Sequence, residues 1–395
     1  MHEATTIHKP ISTPSNGERT SSPVPTLCMV YDHITRDFGS IPQLALAQVK
    51  RSLEAGWKVT CLCRDLDPDL KGEVEHLPLH IPGHFFAYQW LSARRNIQAA
   101  LSERKFDVLH VHQPQVASFA DVMQFHFLTR AAHESGAMTP GSGLRGTYNN
   151  IQLRIVMQAE DRLLRDLATS TNKTNAVFCS HLLQDEFTRL YGVPQHSHVI
   201  VNPCPPVHFP TDQERHLARQ KWVGETDKIV VGYLGGIDER KGYKPLLRAV
   251  EDDPQLFLLM GGNDTENFEA PQLAGRFRGT GRTNNIREFI AACDVFIIPS
   301  SFDPCPLMTF EAAAYGAPVI ATRGVGNLPD LLTYGAGLEW KIDQPLGPLA
   351  QQAVKERTKF NQGARALCAA LSEEEHGARM MALYNAIRVA KTPSS

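Results

Sequence analysis

Four consecutive apolar residues, Val295, Phe296, Ile297 and Ile298, followed at once by a proline, constrain this chain more than any other stretch. A strand that is apolar at every position has no solvent face, so it belongs inside a parallel sheet covered by helices on both sides. Pro299 ends the strand, a polar turn follows, and residues 307–315 read as a helix that Gly316 and Pro318 close. Pro306, with its fixed φ, suits the first helical position. Residues 319–321 are then the next strand. Strand, helix and strand in succession is the repeating unit of an α/β fold.

Within this helix Leu307, Phe310 and Ala314 define an apolar stripe, and Glu311, four residues after Leu307, falls on it. A carboxylate that faces inward needs a hydrogen-bonding partner, which a ligand's hydroxyls would supply. A carboxylate reaching solvent at the helix edge is the alternative, and the helix alone leaves both open. Ligands of open α/β sheets bind beyond the carboxyl ends of strands, where the next helix directs its free N–H groups. The loop 300–306 is such a place, and Asp303 within it precedes Glu311 by eight residues.

This segment resembles the donor site of the retaining glycosyltransferases of family four (glycosyl transferases group 1). Their signature reads P-S-x-x-E, seven residues, then E-A-x-A-x-G-x-P-V-I-A. Pro299, Ser300, Asp303, Glu311, Ala312, Ala314, Gly316, Pro318, Val319, Ile320 and Ala321 follow it. Asp303 replaces the first glutamate, and Pro306 stands where the family usually has glycine, which removes a backbone N–H from the donor loop. The resemblance implies an α/β protein of two Rossmann-like, doubly wound parallel-sheet domains, the B-type glycosyltransferase fold, with a C-terminal helix crossing back to the first lobe. It also implies transfer of a sugar from a nucleotide-diphosphate donor to an acceptor by front-face displacement with retention.

Three further stretches bear on the site. Residues 235–242, with two glycines and then Arg240 and Lys241 before a helix, can bring backbone and cations to a diphosphate, although the order is not that of a P-loop. A solvated turn is the plain alternative. The stretch resembles the family's G-R-L-x-x-x-K-G, with Lys241 in place, Gly236 where an arginine is expected, and Arg240 as its stand-in. Residues 106–112 form a strand whose end carries His110 and His112 on one face; a third metal ligand is not evident nearby, and both could be satisfied polar residues. The resemblance places His112 beside the transferring sugar. Gly39 opens the first helix, where the family has a turn approaching the donor diphosphate. The resemblance thus assigns catalytic roles to His112, Asp303 and Lys241. Donor contacts fall to Gly39, Gly236, Arg240, Lys241, Leu307, Met308 and Glu311, with Glu311 accepting from the ribose hydroxyls. Asp65, Asp67 and Asp69 form D-L-D-P-D, which invites a metal reading, but Pro68 and Gly72 make it a solvated surface turn. No metal and no cofactor beyond the donor are expected.

The chain has 395 residues, 42% of them hydrophobic, enough for two domains of ordinary size. Residues 1–25, rich in Ser, Thr and Pro, read as a disordered leader. A first, acceptor-side domain over 26–205 has strands at 27–31, 58–63, 106–112, 176–179 and 199–202. Its helices are expected at 41–55, 121–133, 151–168 and 182–191, and the glycine-rich stretch 136–146 as a loop that could contact the acceptor. Pro203, Pro205, Pro206 and Pro210 stiffen the passage to a donor domain over 206–371, and residues 372–395 hold the crossover helix and tail. A net charge of −2 offers no electrostatic case for nucleic acid. No apolar run approaches the ~18 residues needed to span a bilayer, which leaves peripheral membrane contact open. Eight cysteines without a C-x-x-C pair agree with the cytoplasm. The acceptor, whether glycan, lipid or small molecule, is not encoded legibly. Two rival readings remain. One is a degenerate homologue that binds a nucleotide sugar or a partner without turnover, suggested by the departures at Asp303, Pro306 and Gly236; the other is a nucleotide-sugar epimerase on the same fold.

Overall fold

The computed structural model describes residues 23–81, 85–138, 143–169 and 171–392. Residues 1–22 of the expected leader, and 139–142 of the stretch 136–146, lie outside the described residues. The first lobe is built on seven parallel strands: β1 (Thr26–Val30), β2 (Lys58–Cys63), β3 (Glu75–Pro78), β4 (Val108–Val111), β5 (Val122–Phe125), β6 (Asn175–Phe178) and β7 (His196–Val199). Their order is β3-β2-β1-β4-β5-β6-β7. Alternation along β1 serves two cores at once. Leu27 and Met29 join Ala45 and Val49 of α1 (Ser40–Glu54) on one face. Cys28 and Val30 join α2 (Phe86–Leu101) through Ala93 and Ile97, and α3 (Gly143–Leu167) through Leu164 and Leu167, on the other.

The second lobe repeats the plan with six strands: β8 (Ile229–Leu234), β9 (Leu256–Gly261), β10 (Phe277–Gly279), β11 (Val295–Ile298), β12 (Val319–Ala321) and β13 (Gly337–Glu339). Their order is β10-β9-β8-β11-β12-β13, all parallel. The apolar run Val295–Ile298 is β11, buried at all four positions, and α4 (Leu307–Ala314) connects it to β12. In both sheets the chain works outward from its first strand, then returns to that strand's other side. The reversal parts the loops between β1 and β4, and between β8 and β11, and leaves a crevice at the carboxyl ends of those strands.

The chain passes between the lobes twice, after β7 and again after α5 (Arg357–Ala370). The backbone N–H of Cys204 in the first passage donates to the carbonyl of Leu371 in the second at 2.7 Å. Ser372 then caps α6 (Glu373–Lys391), its hydroxyl accepting from the Glu375 N–H at 3.2 Å. This helix lies on the first lobe, where Met380, Met381, Tyr384 and Ile387 complete the core around β1 and β2. The Tyr384 hydroxyl meets His110 Nδ1 at 2.6 Å.

Four expectations change. Residues 143–146 of the stretch expected as a loop form the first turn of α3. The helix expected over 121–133 is strand β5 followed by a short helix, Thr129–Glu134. A short, mostly apolar run does not distinguish a buried strand from a buried helix; pairing on both sides decides it, His110 with Val122 and Val122 with Asn175. Strand β7 ends where the expected strand 199–202 begins. The D-L-D-P-D stretch is not a solvated turn throughout: Asp67 is fully buried, accepting from Arg36 Nε at 3.0 Å and Nη2 at 2.8 Å. Its carboxyl is held well below the usual range by that guanidinium.

Replacing Tyr384 with phenylalanine removes the hydroxyl from a fully buried histidine. The loss of a buried partner costs about 1–3 kcal/mol. Tyr384→Phe is therefore expected to lower the thermal midpoint by roughly 5 °C, at ~2–4 °C per kcal/mol for a lobe of this size, in a calorimetric or fluorescence melt.

Candidate active site between the lobes

The two crevices open into one interlobe cleft of about 1210 Å³, with Phe86, His126, Phe127 and Leu153 on the first-lobe side and residues 237–240, Asp303 and Pro304 on the other. A deeper pocket of about 440 Å³ continues from it, bounded by Gly39 and Ser40 at the start of α1, by Lys241, and by Leu307, Met308 and Glu311 of α4. Ile41, His126 and Asp303 border both spaces, so they stand where the two meet. Phe302 anchors the 300–306 loop across the cleft: it is buried among first-lobe core residues and meets Phe127 edge to face at 6.0 Å.

Charge is concentrated at Asp303. Its carboxylate takes Lys241 Nζ at 2.5 Å and lies 3.4 Å from Arg240 Nη1, so both cations of the 235–242 loop converge on the acid of the neighbouring loop. Arg240 also donates from Nη1 to the Phe302 carbonyl at 3.3 Å. The Asp303 backbone is fixed separately, its N–H donating to the Gly324 carbonyl at 2.7 Å and its carbonyl accepting from the Gly326 N–H at 2.9 Å. Gly326 must be glycine because a Cβ there would sit 1.9 Å from the Pro304 carbonyl oxygen.

The two other departures from the motif have structural reasons. Gly236 adopts φ +68°, and a Cβ would meet the backbone N and O of Asn263 at 2.9 Å, so an arginine does not fit this turn. Gly236 lies behind the loop, not on the cleft, and Arg240 takes the cleft-facing place. Pro306 does not open the helix: with ψ 119° it is the residue before it, and its carbonyl accepts from the Thr309 hydroxyl at 2.5 Å and from Asn327 Nδ2 at 3.1 Å. Its missing N–H therefore belongs to a loop already held by its carbonyl.

Glu311 is the contrast. It borders the deep pocket, its carboxylate makes no hydrogen bond or ion pair with any described residue, and burial raises that carboxyl above the ordinary range. The half-buried Leu307 shares its edge of the helix, while Phe310 and Ala314 are buried.

His112 is not brought to the cleft. It is buried one layer behind, its Nδ1 2.8 Å from Nε2 of His126, with His110 stacked on its other side at 4.5 Å. Burial, reinforced by neighbouring imidazoles, holds His112 well below its ordinary value and brings His126 and His110 down to about 3, so the column is neutral. His126 is the residue that sequence reasoning missed. Its signal was present, a histidine at the end of a strand next to β4, but that strand was read as helix.

Two family descriptions match the chain in succession: "Glycosyltransferase Family 4" over residues 43–206 and "Glycosyl transferases group 1" over 214–340. The chain belongs to the group 1 glycosyltransferases. Among curated relatives of this group 1 member, the lipopolysaccharide core biosynthesis glycosyltransferase LpsE of Rhizobium meliloti (strain 1021) is 36% identical over 114 residues, 27% of this chain and 34% of LpsE. The match thus spans about a third of that relative's length. The sucrose-phosphate synthase of Thermosynechococcus elongatus shares the fold, with TM-score 0.68 and 17% identity over 93% of this chain and all of that one. The Anabaena protein HepE, solved with UDP and glucose, matches at TM-score 0.62 and 16% identity over 91% of this chain and 99% of its own.

A carboxyl raised in the folded state binds its proton more tightly there than in the unfolded chain, so its ionisation lowers stability as pH rises above the ordinary carboxylate value. Glu311→Gln is expected to melt at a higher temperature than the parent at pH 7.5, and the gap should narrow as pH falls toward ~4.5. Paired melts at several pH values measure it; a gap that stays constant with pH would count against a strained carboxylate.

Proposed function

We propose that the chain transfers a sugar from a nucleotide-diphosphate sugar to an acceptor with retention at the anomeric carbon. The observation that carries this reading is the carboxylate of Glu311, without a partner among the described residues and at the edge of a pocket that Lys241 also lines. A nucleoside diphosphate presents the complement: ribose hydroxyls that donate to a carboxylate, and a diphosphate that takes cations. Glu311 would accept from the ribose, while Lys241, Arg240 and the N–H groups opening α1 would hold the diphosphate. The UDP bound by Anabaena HepE makes UDP-sugars the first donors to try.

In such a transfer the bond from the anomeric carbon to the diphosphate oxygen breaks as the acceptor oxygen approaches the same face, and the leaving diphosphate takes the acceptor proton. The protein then supplies placement and charge stabilisation. Lys241 would divide its charge between Asp303 and the departing diphosphate. Asp303 would face the sugar, and His126, oriented by His112, would border it. Because Arg240 and Lys241 supply positive charge at this place, the reading includes activity without a divalent metal. The larger cleft would receive the acceptor. The reading also assigns the reaction to the cytoplasm, where unpaired thiols such as the eight cysteines persist.

The direct test is incubation with UDP-, ADP- and GDP-sugars in EDTA, following hydrolysis and transfer and assigning the product anomer by NMR. The expected outcome is turnover of one donor class with the donor's anomeric configuration kept. A thermal shift without turnover would favour the degenerate binder, and activity restored only by magnesium or manganese would overturn metal independence.

Two substitutions should separate the roles. Lys241→Ala is expected to lower kcat/KM by about 100-fold, the scale of ~3 kcal/mol of charge stabilisation. Glu311→Ala should instead weaken binding of the free nucleoside diphosphate by about 100-fold, since two charged hydrogen bonds contribute ~1.5–3 kcal/mol each. Steady-state kinetics and calorimetry read the two.

A further inference from the structure

The two passages between the lobes meet at a pair of sulfurs. Cys204 lies in the first passage among Pro203, Pro205 and Pro206, and Cys368 lies on α5, three residues before Leu371. Their Sγ atoms are 2.6 Å apart, about half an ångström beyond the ~2.05 Å of a covalent S–S bond, and both side chains are buried from bulk solvent. Both border a pocket of about 440 Å³ that also reaches Ser40, Leu307 and Glu311, so a small reagent has a route to them. We propose that Cys204 and Cys368 are a redox modification site whose reversible disulfide staples the two interlobe passages together.

The chemistry uses a low-molecular-weight disulfide as oxidant, of the class of oxidised glutathione. One cysteine, as thiolate, attacks a reagent sulfur and expels one thiol, forming a mixed disulfide. The other then attacks the protein sulfur of that mixed disulfide and expels the second thiol. Two protein thiols and one reagent disulfide become one protein disulfide and two reagent thiols. Cys368 is suited to the first attack, because its hydrogen bond with Cys204 lowers its thiol below the ordinary value. Cys204 is pushed up by the same bond, by burial and by the charge of Glu311, which suits it to the later, intramolecular step.

Position gives the bond its consequence. Cys204 already joins the second passage through its N–H on the Leu371 carbonyl, and its sulfur lies 3.9 Å from the Phe310 carbonyl of α4. A covalent link would tie the first passage to the last turn of α5, leaving the segment through which the lobes turn against each other less free to open. The proposal does not depend on sugar transfer, because the thiols and the passages can be followed without turnover.

The test treats the full chain with oxidised glutathione, alkylates free thiols, and maps peptides without reduction. The expected product is one Cys204–Cys368 disulfide, with two fewer free thiols and recovery on dithiothreitol. Amide exchange should slow at Asn202, Cys204 and residues 371–376 in the oxidised form. Cys204→Ser and Cys368→Ser should each abolish the cross-link. Continued alkylation of both cysteines, a glutathione adduct alone, a bond in its place between Cys305 and its hydrogen-bonded neighbour Cys179, or a formed disulfide with unchanged exchange at both passages would each overturn the proposal.

Discussion

A lysine ammonium 2.5 Å from an almost buried aspartate organises the second lobe's side of the cleft. Lys241 belongs to the loop after β8 and Asp303 to the loop after β11, the two strands between which the second sheet reverses its winding. An aspartate buried there without a cation would be costly, so the two loops keep their positions together. Arg240 adds a second link, and the backbone bonds of Asp303 to Gly324 and Gly326 bring in the loop after β12. Three connections that are separate in sequence thereby form one wall. Phe302, on the same loop as Asp303, carries that wall into the first lobe's core.

The parts of this arrangement legible in the sequence were those with strong local constraints. β11 and β12 were read to the residue, because an unbroken apolar strand bounded by proline has few alternative conformations. Asp303, Lys241, Leu307, Met308 and Glu311 were placed in one site by the family resemblance of the segments around those strands, and the structure brings all five to the same pocket. The first lobe was less legible. β5 is only four residues long and owes its conformation to partners at residues 108–111 and 175–178, which no local pattern discloses. With β5 read as helix, His126 had no strand end to occupy, while the resemblance of residues 106–112 pointed to its buried neighbour His112. Gly236 was recognised as a departure, but the reason, the backbone of Asn263 close behind it, is a tertiary contact.

Glu311 and Asp303 show how differently two acids in one pocket can be treated. Asp303 is paired, with two cations on one carboxylate oxygen and two hydrogen bonds on its backbone. The Glu311 carboxylate has no partner among the described residues and is held partly out of water. Protein surroundings that pair one carboxylate and neglect its neighbour mark the neglected one as the group whose partner comes from outside.

The last helix has a consequence for how the chain comes to be folded. α6 supplies Tyr384 to His110 across 274 residues of sequence, and Met380 and Ile387 to the core around β1. During synthesis those residues emerge after the whole second lobe, so the first lobe waits with one face of its sheet only partly covered, by α1, while the second assembles. Pairing over such distances closes slowly. The lobe made first is therefore the lobe finished last, and a released chain that ends shortly before residue 373 leaves the first lobe with part of that apolar face open.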